Sequence, residues 1–289
     1  MRQARPFGLW KTSGRHNLHD TELDDLGKLL ITLKPNRRSF RNVPMRVILP
    51  NLVTLLALCM GITAIRFAIE GRFEVAVYSI IAAAVLDGLD GRLARALQGT
   101  TRFGAELDSL ADFIDFGVAP ALVLYLWSLH QNKGLGWFAA LVFAVACALR
   151  LARFNVAIDD PDRPAWASQF FTGMPAPAGA IVALLPMYLH LSEVRLANES
   201  AFVPFQVGYV LLVAFLMVSR IPHFSGKTWG RVPREHVMAV LFGVAVTVLL
   251  LVTYPMEVLI GLTLFYLGMI PVSMRKARGM AAAEAAGKV

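Results

Sequence analysis

The chain has 289 residues, of which 56% are hydrophobic and only 17% charged. A mean hydropathy of +0.57 excludes an ordinary soluble domain and points to an all-α polytopic membrane protein. The net charge of +8 is not a nucleic-acid footprint, because no basic module with interleaved aromatic residues accompanies it, and no nucleic-acid partner is expected.

Residues 1–47 form a polar, basic N-terminal segment. It begins with no apolar h-region, so no cleaved leader is expected. Its end, "LKPNRRSFRNVPMRVILP" (33–50), mixes Arg with Leu, Phe, Val, Met and Ile. That mixture reads either as a helix along an anionic membrane surface or as a basic tail that only fixes topology. Apolar windows long enough to cross a bilayer follow at 51–69, 74–91, 109–128, 136–152, 175–191, 202–218, 236–252 and 257–273, about eight in all. Placing both termini in the cytoplasm leaves only Arg66, Arg72, Lys133 and Arg195, of the 28 Lys and Arg residues, on the far side. That asymmetry is what the positive-inside rule requires, and it calls for an even number of spans. Cys59 and Cys147 both fall inside spans, which argues against a disulfide or a zinc site. His223 and His236 read as interfacial. The sequence "GKT" at 226–228 lacks the upstream glycine spacing of a phosphate-binding loop. The Ala-rich end "MAAAEAAGKV" reads as a frayed tail.

Between the second and third windows lies "DGLDGRLARALQGTTRFGAELDSLAD" (87–112). Asp87 and Asp90 are three apart, and Asp108 and Asp112 four apart, so on helices each pair shares a face. The polar connection "LQGTTRFG" lets the two helices return antiparallel and bring the pairs together. Four facing carboxylates repel one another strongly. Hard divalent cations, Mg²⁺ or Mn²⁺, relieve that repulsion, and the number of acids suits two ions with bridging carboxylates. Gly91, Ala94 and Gly104 remove bulk where a phosphate-bearing ligand would approach the helix backbone. Arg95 offers planar, charge-assisted hydrogen bonds to phosphate oxygens. Glu106 and Asp115 flank the acids outside this spacing and are left out of the metal site. A cation transporter would also use intramembrane carboxylates, but near the bilayer midplane rather than at one face beside an arginine.

The stretch matches D-x2-D-G-x2-A-R-x8-G-x3-D-x3-D at every fixed position: Asp87, Asp90, Gly91, Ala94, Arg95, Gly104, Asp108 and Asp112. In this the chain resembles the CDP-alcohol phosphotransferase family, integral membrane enzymes with a six-helix core. The resemblance implies a catalytic membrane core over 48–230, followed by two additional C-terminal spans at 231–274 and a cytoplasmic tail at 275–289. It further implies that Asp87, Asp90 and Asp108 hold one divalent ion, that Asp87, Asp108 and Asp112 hold a second, and that Asp112 is the general base. By the same resemblance Gly91, Arg95 and Thr101 contact the CDP-linked lipid, with Ala94 and Gly104 beside it. "PNLVT" (50–54) matches the family pattern at the first span, which adds Asn51 and Thr54. A helix N-cap is the alternative reading of Asn51. The family commonly forms homodimers, so a homodimer is expected.

Three later segments bear on the acceptor alcohol. "ALRLARFNVA" (148–157), "QFFTGMPAPAGA" (169–180) and "LMVSRIPHFSGK" (216–227) all emerge on the side of the aspartates. They resemble a bacterial branch of the family whose acceptor is serine. This implies CDP-diacylglycerol and L-serine as substrates at a bacterial inner membrane, with the site and both termini cytoplasmic. Serine carries a carboxylate, for which Arg150, Arg153, Arg220 and Lys227 are candidate partners, with Asn155 as an orienting amide. Choline, glycerol phosphate and inositol phosphate stay open as acceptors. Choline would call for an aromatic cage, for which Phe154, Phe170 and Phe171 are available. Arginines at cytoplasmic span ends also serve simply as topology anchors.

Overall fold

The structure is a computed structural model that describes residues 44–158, 170–192, 202–224 and 237–285, all within the compact unit Pro44–Val289. Most of the basic N-terminal segment, Lys227 and His236 lie outside the described residues.

Helix α1 (Met45–Ile69) starts ahead of its apolar window, with Pro44 in an extended conformation at the boundary. Asn51 is therefore inside the helix and does not cap it. Pro50, also inside the helix, has no N–H to give the carbonyl four residues back, that of Arg46. One face of α1 carries Thr54, Ala57, Gly61, Ala64 and Ala68, all buried. These small residues recur at alternating steps of three and four, the spacing that lets two membrane helices approach closely. Helix α2 (Phe73–Ala96) returns antiparallel and meets that face with Ala76, Ile80 and Ala83. Gly71, at φ +74, makes the tight turn between them.

The connection after α2 is shorter than the sequence suggested. Helix α3 (Arg102–Phe113) begins well before its apolar window because Thr101 caps it, accepting a hydrogen bond from the Gly104 N–H at 3.0 Å. Gly99 in this connection lies directly on the Arg46 carbonyl, the one left without a helical partner by Pro50; a Cβ there would overlap it. Beyond α3 the rod passes through a π-helical turn at Ile114–Val118 into α4 (Ala119–Trp127). A short 3₁₀ turn, Leu129–Asn132, then leads to α5 (Lys133–Ile158).

The fifth apolar window is not one helix. It is split at Leu184 into α6 (Ala176–Ala183) and α7 (Leu185–Leu191), with Pro186 in the first turn of the second. Helix α8 (Val203–Val218) packs along α5, and the largest buried side chains, among them Phe116, Phe143, Tyr188 and Met217, fill the space between these elements. Helices α9 (Val237–Thr253) and α10 (Pro255–Ala285) close the chain. The Ala-rich end read as a frayed tail continues α10 as helix through Ala285, which suits its run of strong helix formers.

Two strands interrupt the all-helical pattern. β1 (Phe170–Thr172) pairs antiparallel with β2 (Pro222–Phe224), Phe171 opposite His223. Each lies next to Pro or Gly at a span end, where the sequence reads as helix start and exit. Helices α1, α3–α4, α5 and α10 are long and apolar enough to cross a membrane; α8 and α9 are apolar but shorter. Side chains such as Leu52, Ile62, Phe205, Met238 and Phe242 face outward on them. So much outward apolar surface suits a lipid surrounding rather than water.

Gly173 joins β1 to α6 at φ +81, with its N–H donating to the Ile221 carbonyl at 2.9 Å. A Cβ there would come within 2.5 Å of the Met217 carbonyl oxygen. Gly173→Ala is expected to cost about 1–3 kcal/mol. Gly208→Ala, in an exposed helical position with open space around it, should instead be neutral or gain up to about 1 kcal/mol. Thermal midpoints in detergent would test the two opposite signs.

Candidate active site

The packing of α1 against α2 and α3 brings the acidic residues together. Single carboxylate oxygens of Asp87, Asp90 and Asp108 lie within 4.8 Å of one another. Unit charges 4 Å apart repel by about 4 kcal/mol even at a protein-like dielectric of ~20, so three such groups call for a compensating cation. All donors are hard carboxylate oxygens, which fits a divalent ion of the Mg²⁺ or Mn²⁺ kind. Asp112 stands beside this trio rather than in it. Its carboxyl is at hydrogen-bonding range of Asp87, while its Oδ1 is buried without a partner. An orphaned carboxylate oxygen at that place is what a further cation or a substrate proton would satisfy.

A cavity of about 170 Å³ opens against the same acids. Asn51, Thr54, Gly91, Ala94, Arg95, Thr101 and Gly104, the residues expected to meet the CDP-linked lipid, all line it, together with Asp90 and Asp108. Thr54 donates to Asp90 Oδ2 at 2.5 Å and so holds one metal-site carboxylate from the neighbouring helix. Gly104 has Asn51 Oδ1 and Thr101 Oγ1 where a Cβ would sit, at 2.8 and 3.2 Å. Gly91 keeps its surroundings open except for the Arg95 guanidinium. Thr101 has two jobs, since the hydroxyl that caps α3 also faces the cavity. Sequence reasoning missed Pro50, Gly99, Thr100 and Ala105, which complete the lining.

Asp115 is placed differently from the other acids. It is 1% exposed, lies in the π-helical turn, and packs against Gly61, whose missing side chain makes room for its carboxyl. The extra residue of that turn carries it toward α1 and away from the trio. The spacing already set it apart from the paired acids, and the π turn directs its carboxyl to Gly61.

The acceptor candidates divide. Arg150 is buried at 8% exposure beside Asp112 and Asp87, with its guanidinium 5.4 Å from the Phe154 ring centroid. Arg153 is engaged in structure: its Nη1 donates to the Val218 and Ser219 carbonyls at 2.7 and 3.3 Å, tying α5 to the end of α8. Asn155 donates to Ser109 Oγ at 3.0 Å, tying α5 to α3. Arg220 is exposed, and Lys227 lies outside the described residues. The three late segments do meet, through Arg153 and the β1–β2 ladder, yet none of them lines the cavity beside Arg95. His223 departs from the expectation of an interfacial residue, being 1% exposed.

A bundle of apolar helices gathers acids that could hold a divalent ion beside a phosphate-sized cavity, an arrangement that suits a membrane transferase. Residues 47–219 match the CDP-alcohol phosphatidyltransferase family, and the chain belongs to it. It is similar to the CDP-diacylglycerol–serine O-phosphatidyltransferase of Mycobacterium bovis, at 41% identity over 81% of this chain and 80% of that one. The enzyme of the same name from Mycobacterium leprae is 40% identical over 87% and 82%. That from Helicobacter pylori is 36% identical over 63% and 74%.

Asp108→Asn should lower CMP release by roughly 10²-fold or more, because it removes a charge from the trio. Asp115→Asn, nearly isosteric and outside it, should cost less than about tenfold. Equal losses in one assay would contradict that ranking. Gly104→Val should weaken binding of the CDP-linked lipid, read as a raised KM, by crowding Asn51 and Thr101.

Proposed function

We propose that this chain is a phosphatidylserine synthase, transferring the phosphatidyl group of CDP-diacylglycerol to L-serine with release of CMP. The supporting observation is one of placement: every residue expected to grip the CDP-linked lipid faces one cavity that ends on Asp90 and Asp108. The names of the mycobacterial and Helicobacter relatives support serine as the acceptor.

The serine hydroxyl oxygen forms a bond to the phosphorus that carries diacylglycerol. The bond from that phosphorus to the bridging pyrophosphate oxygen breaks, and its electron pair leaves with CMP. The hydroxyl proton passes to Asp112, whose buried, unpartnered Oδ1 is open to receive it. Asp87, Asp90, Asp108 and Asp112 would hold two divalent ions, Mg²⁺ or Mn²⁺, which when bound would neutralise the charge of the acids and the pyrophosphate. Arg95, which lines the same cavity, meets phosphate oxygens, Thr54 fixes Asp90, and Gly91, Ala94 and Gly104 leave room for the headgroup. Arg150 is the acceptor-side cation best placed to receive the serine carboxylate. Arg153 and Asn155 hold the helices around it, and Arg220 and Lys227 belong to the same side. The Phe154 ring already carries the Arg150 guanidinium, which makes it a poor wall for the quaternary ammonium of choline.

In this reading the catalytic core is 48–230, followed by two further spans, for about eight in all. The enzyme is a homodimer of the bacterial inner membrane, with both termini and the site in the cytoplasm, and the acyl chains stay in the bilayer.

Purified protein given CDP-diacylglycerol and a panel of alcohols should release CMP with serine and form phosphatidylserine. Chelation with EDTA should abolish release, and added Mg²⁺ or Mn²⁺ should restore it. Release only with choline, glycerol phosphate or inositol phosphate would overturn serine as the acceptor.

A further inference from the structure

Three helix ends are too long for the bilayer core. Helix α1 has 25 residues, α2 has 24, and the rod from Arg102 to Trp127 has 26. At about 1.5 Å per residue each exceeds the ~30 Å hydrocarbon thickness by a turn or more. The excess lies at the end that carries the cavity, because the apolar windows of α1 and α3 begin only at 51 and 109 and that of α2 stops at 91. The first turn of α1, the last turn of α2 and the first turn of α3 therefore stand at the level of lipid headgroups. Gly99 seats on the Arg46 carbonyl, so the first turn of α1 lies against the connection that leads from α2 to Arg102. Arg46, Arg92 and Arg102 are exposed on these turns, and none of them forms an ion pair among the described residues. Glu106, one turn beyond Arg102, is exposed and makes no ion pair with it, which leaves the rim net positive. Beside the arginines, Met45 and Phe103 are 72% and 70% exposed.

We propose that Arg46, Arg92 and Arg102, with Met45 and Phe103, form a docking surface for the headgroup of an anionic phospholipid beside the cavity, and that its occupancy favours binding of the CDP-linked lipid. The second half rests on the donor named in the reading above; the first does not. Unpaired guanidinium groups next to exposed apolar side chains are the composition of a membrane-surface contact, in which the cations meet phosphates and the apolar groups enter the boundary of the acyl chains. Arginine suits the phosphodiester because its planar fork gives charge-assisted hydrogen bonds to two oxygens. Met45 and Phe103 select a lipid over a free anion, since only a lipid brings apolar surface together with the phosphate. The link to the cavity follows from the chain. Pro50 and Asn51 follow Arg46 by about one turn, Gly91 precedes Arg92, and Thr101 precedes Arg102, and all four line the cavity. Like charges on these neighbouring turns repel one another. A phosphodiester among them relieves that repulsion and holds the starts of α1 and α3 against the connection, which keeps the cavity walls in place.

The test titrates the full-length protein in detergent with dioleoyl phosphatidylglycerol or dioleoyl phosphatidylcholine, without the CDP-linked lipid, and reads bound lipid by native mass spectrometry. Phosphatidylglycerol should bind in preference, and Arg46→Gln, Arg92→Gln and Arg102→Gln should each weaken it by about fivefold. Arg102→Lys keeps the charge and should keep most of the affinity, which separates loss of the surface from loss of the fold. Arg275→Gln, at an exposed position of α10, serves as the control for a generally basic helix end and should change nothing. Millimolar inorganic phosphate should not displace the lipid. In phosphatidylcholine vesicles, added phosphatidylglycerol should lower the KM for CDP-diacylglycerol about threefold or more in wild type and leave it unmoved when Arg46→Gln and Arg102→Gln are combined. Equal binding of the two lipids, a loss in Arg275→Gln as large as in Arg102→Gln, or displacement by inorganic phosphate would each overturn the docking surface. A wild-type KM that ignores phosphatidylglycerol would overturn its link to the cavity. The mass measurement involves no turnover, so failure of the proposed reaction would leave its result standing.

Discussion

Three carboxylates within 4.8 Å of one another set the terms for the rest of this structure. Their mutual repulsion has to be offset where α2 and α3 meet, and the backbone packing holds the helices in place. The packing is built from small side chains. Thr54, Ala57, Gly61, Ala64 and Ala68 on α1 let α2 lie close, and Thr54 then reaches across to Asp90. Gly99 settles on the Arg46 carbonyl that Pro50 leaves unpaired, which closes the connection between the two acid-bearing helices. The features that confine the acids are thus the absences of bulk around them.

The same scaffold separates two kinds of contact. The cavity beside Arg95 is built by α1, α2 and the start of α3 and carries the groups suited to a nucleotide-linked phosphate. The other side of the acids is built by α5, the ends of α8 and α6, and the β1–β2 ladder. There the cation nearest the acids is Arg150, while Arg153 is spent on holding the Val218 and Ser219 carbonyls. Asp87 and Asp112 meet between these two sides. Helix α10 reaches the β1–β2 ladder of this second side through the contact of Tyr266 with His223.

Much of the cavity beside Arg95 was legible in the sequence because it is local. Asp87, Asp90, Gly91, Ala94 and Arg95 share one helix, and the return to Gly104, Asp108 and Asp112 takes only a short connection. Helical periodicity therefore fixes which side chains face the same way. Helix limits were less legible: the start of α3 at Thr101 and of α1 at Pro44 depend on caps and prolines that hydropathy windows do not weigh. The acceptor side was legible only as a list of arginines. Arg150, Arg153 and Arg220 look alike at a helix end, and what distinguishes them is which carbonyl, ring or carboxylate each meets from a distant segment.

By itself, then, the amino-acid sequence determined the membrane class, the paired acids and the residues that share the cavity beside Arg95, since each follows from composition or from spacing along one or two adjacent helices. Only the tertiary structure decided that Asp115 turns to Gly61 through a π turn, that Arg153 is structural, that His223 is buried, and that Tyr266 stacks on His223. Those outcomes depend on contacts between residues far apart in the chain, and no local period encodes which of several similar side chains will meet.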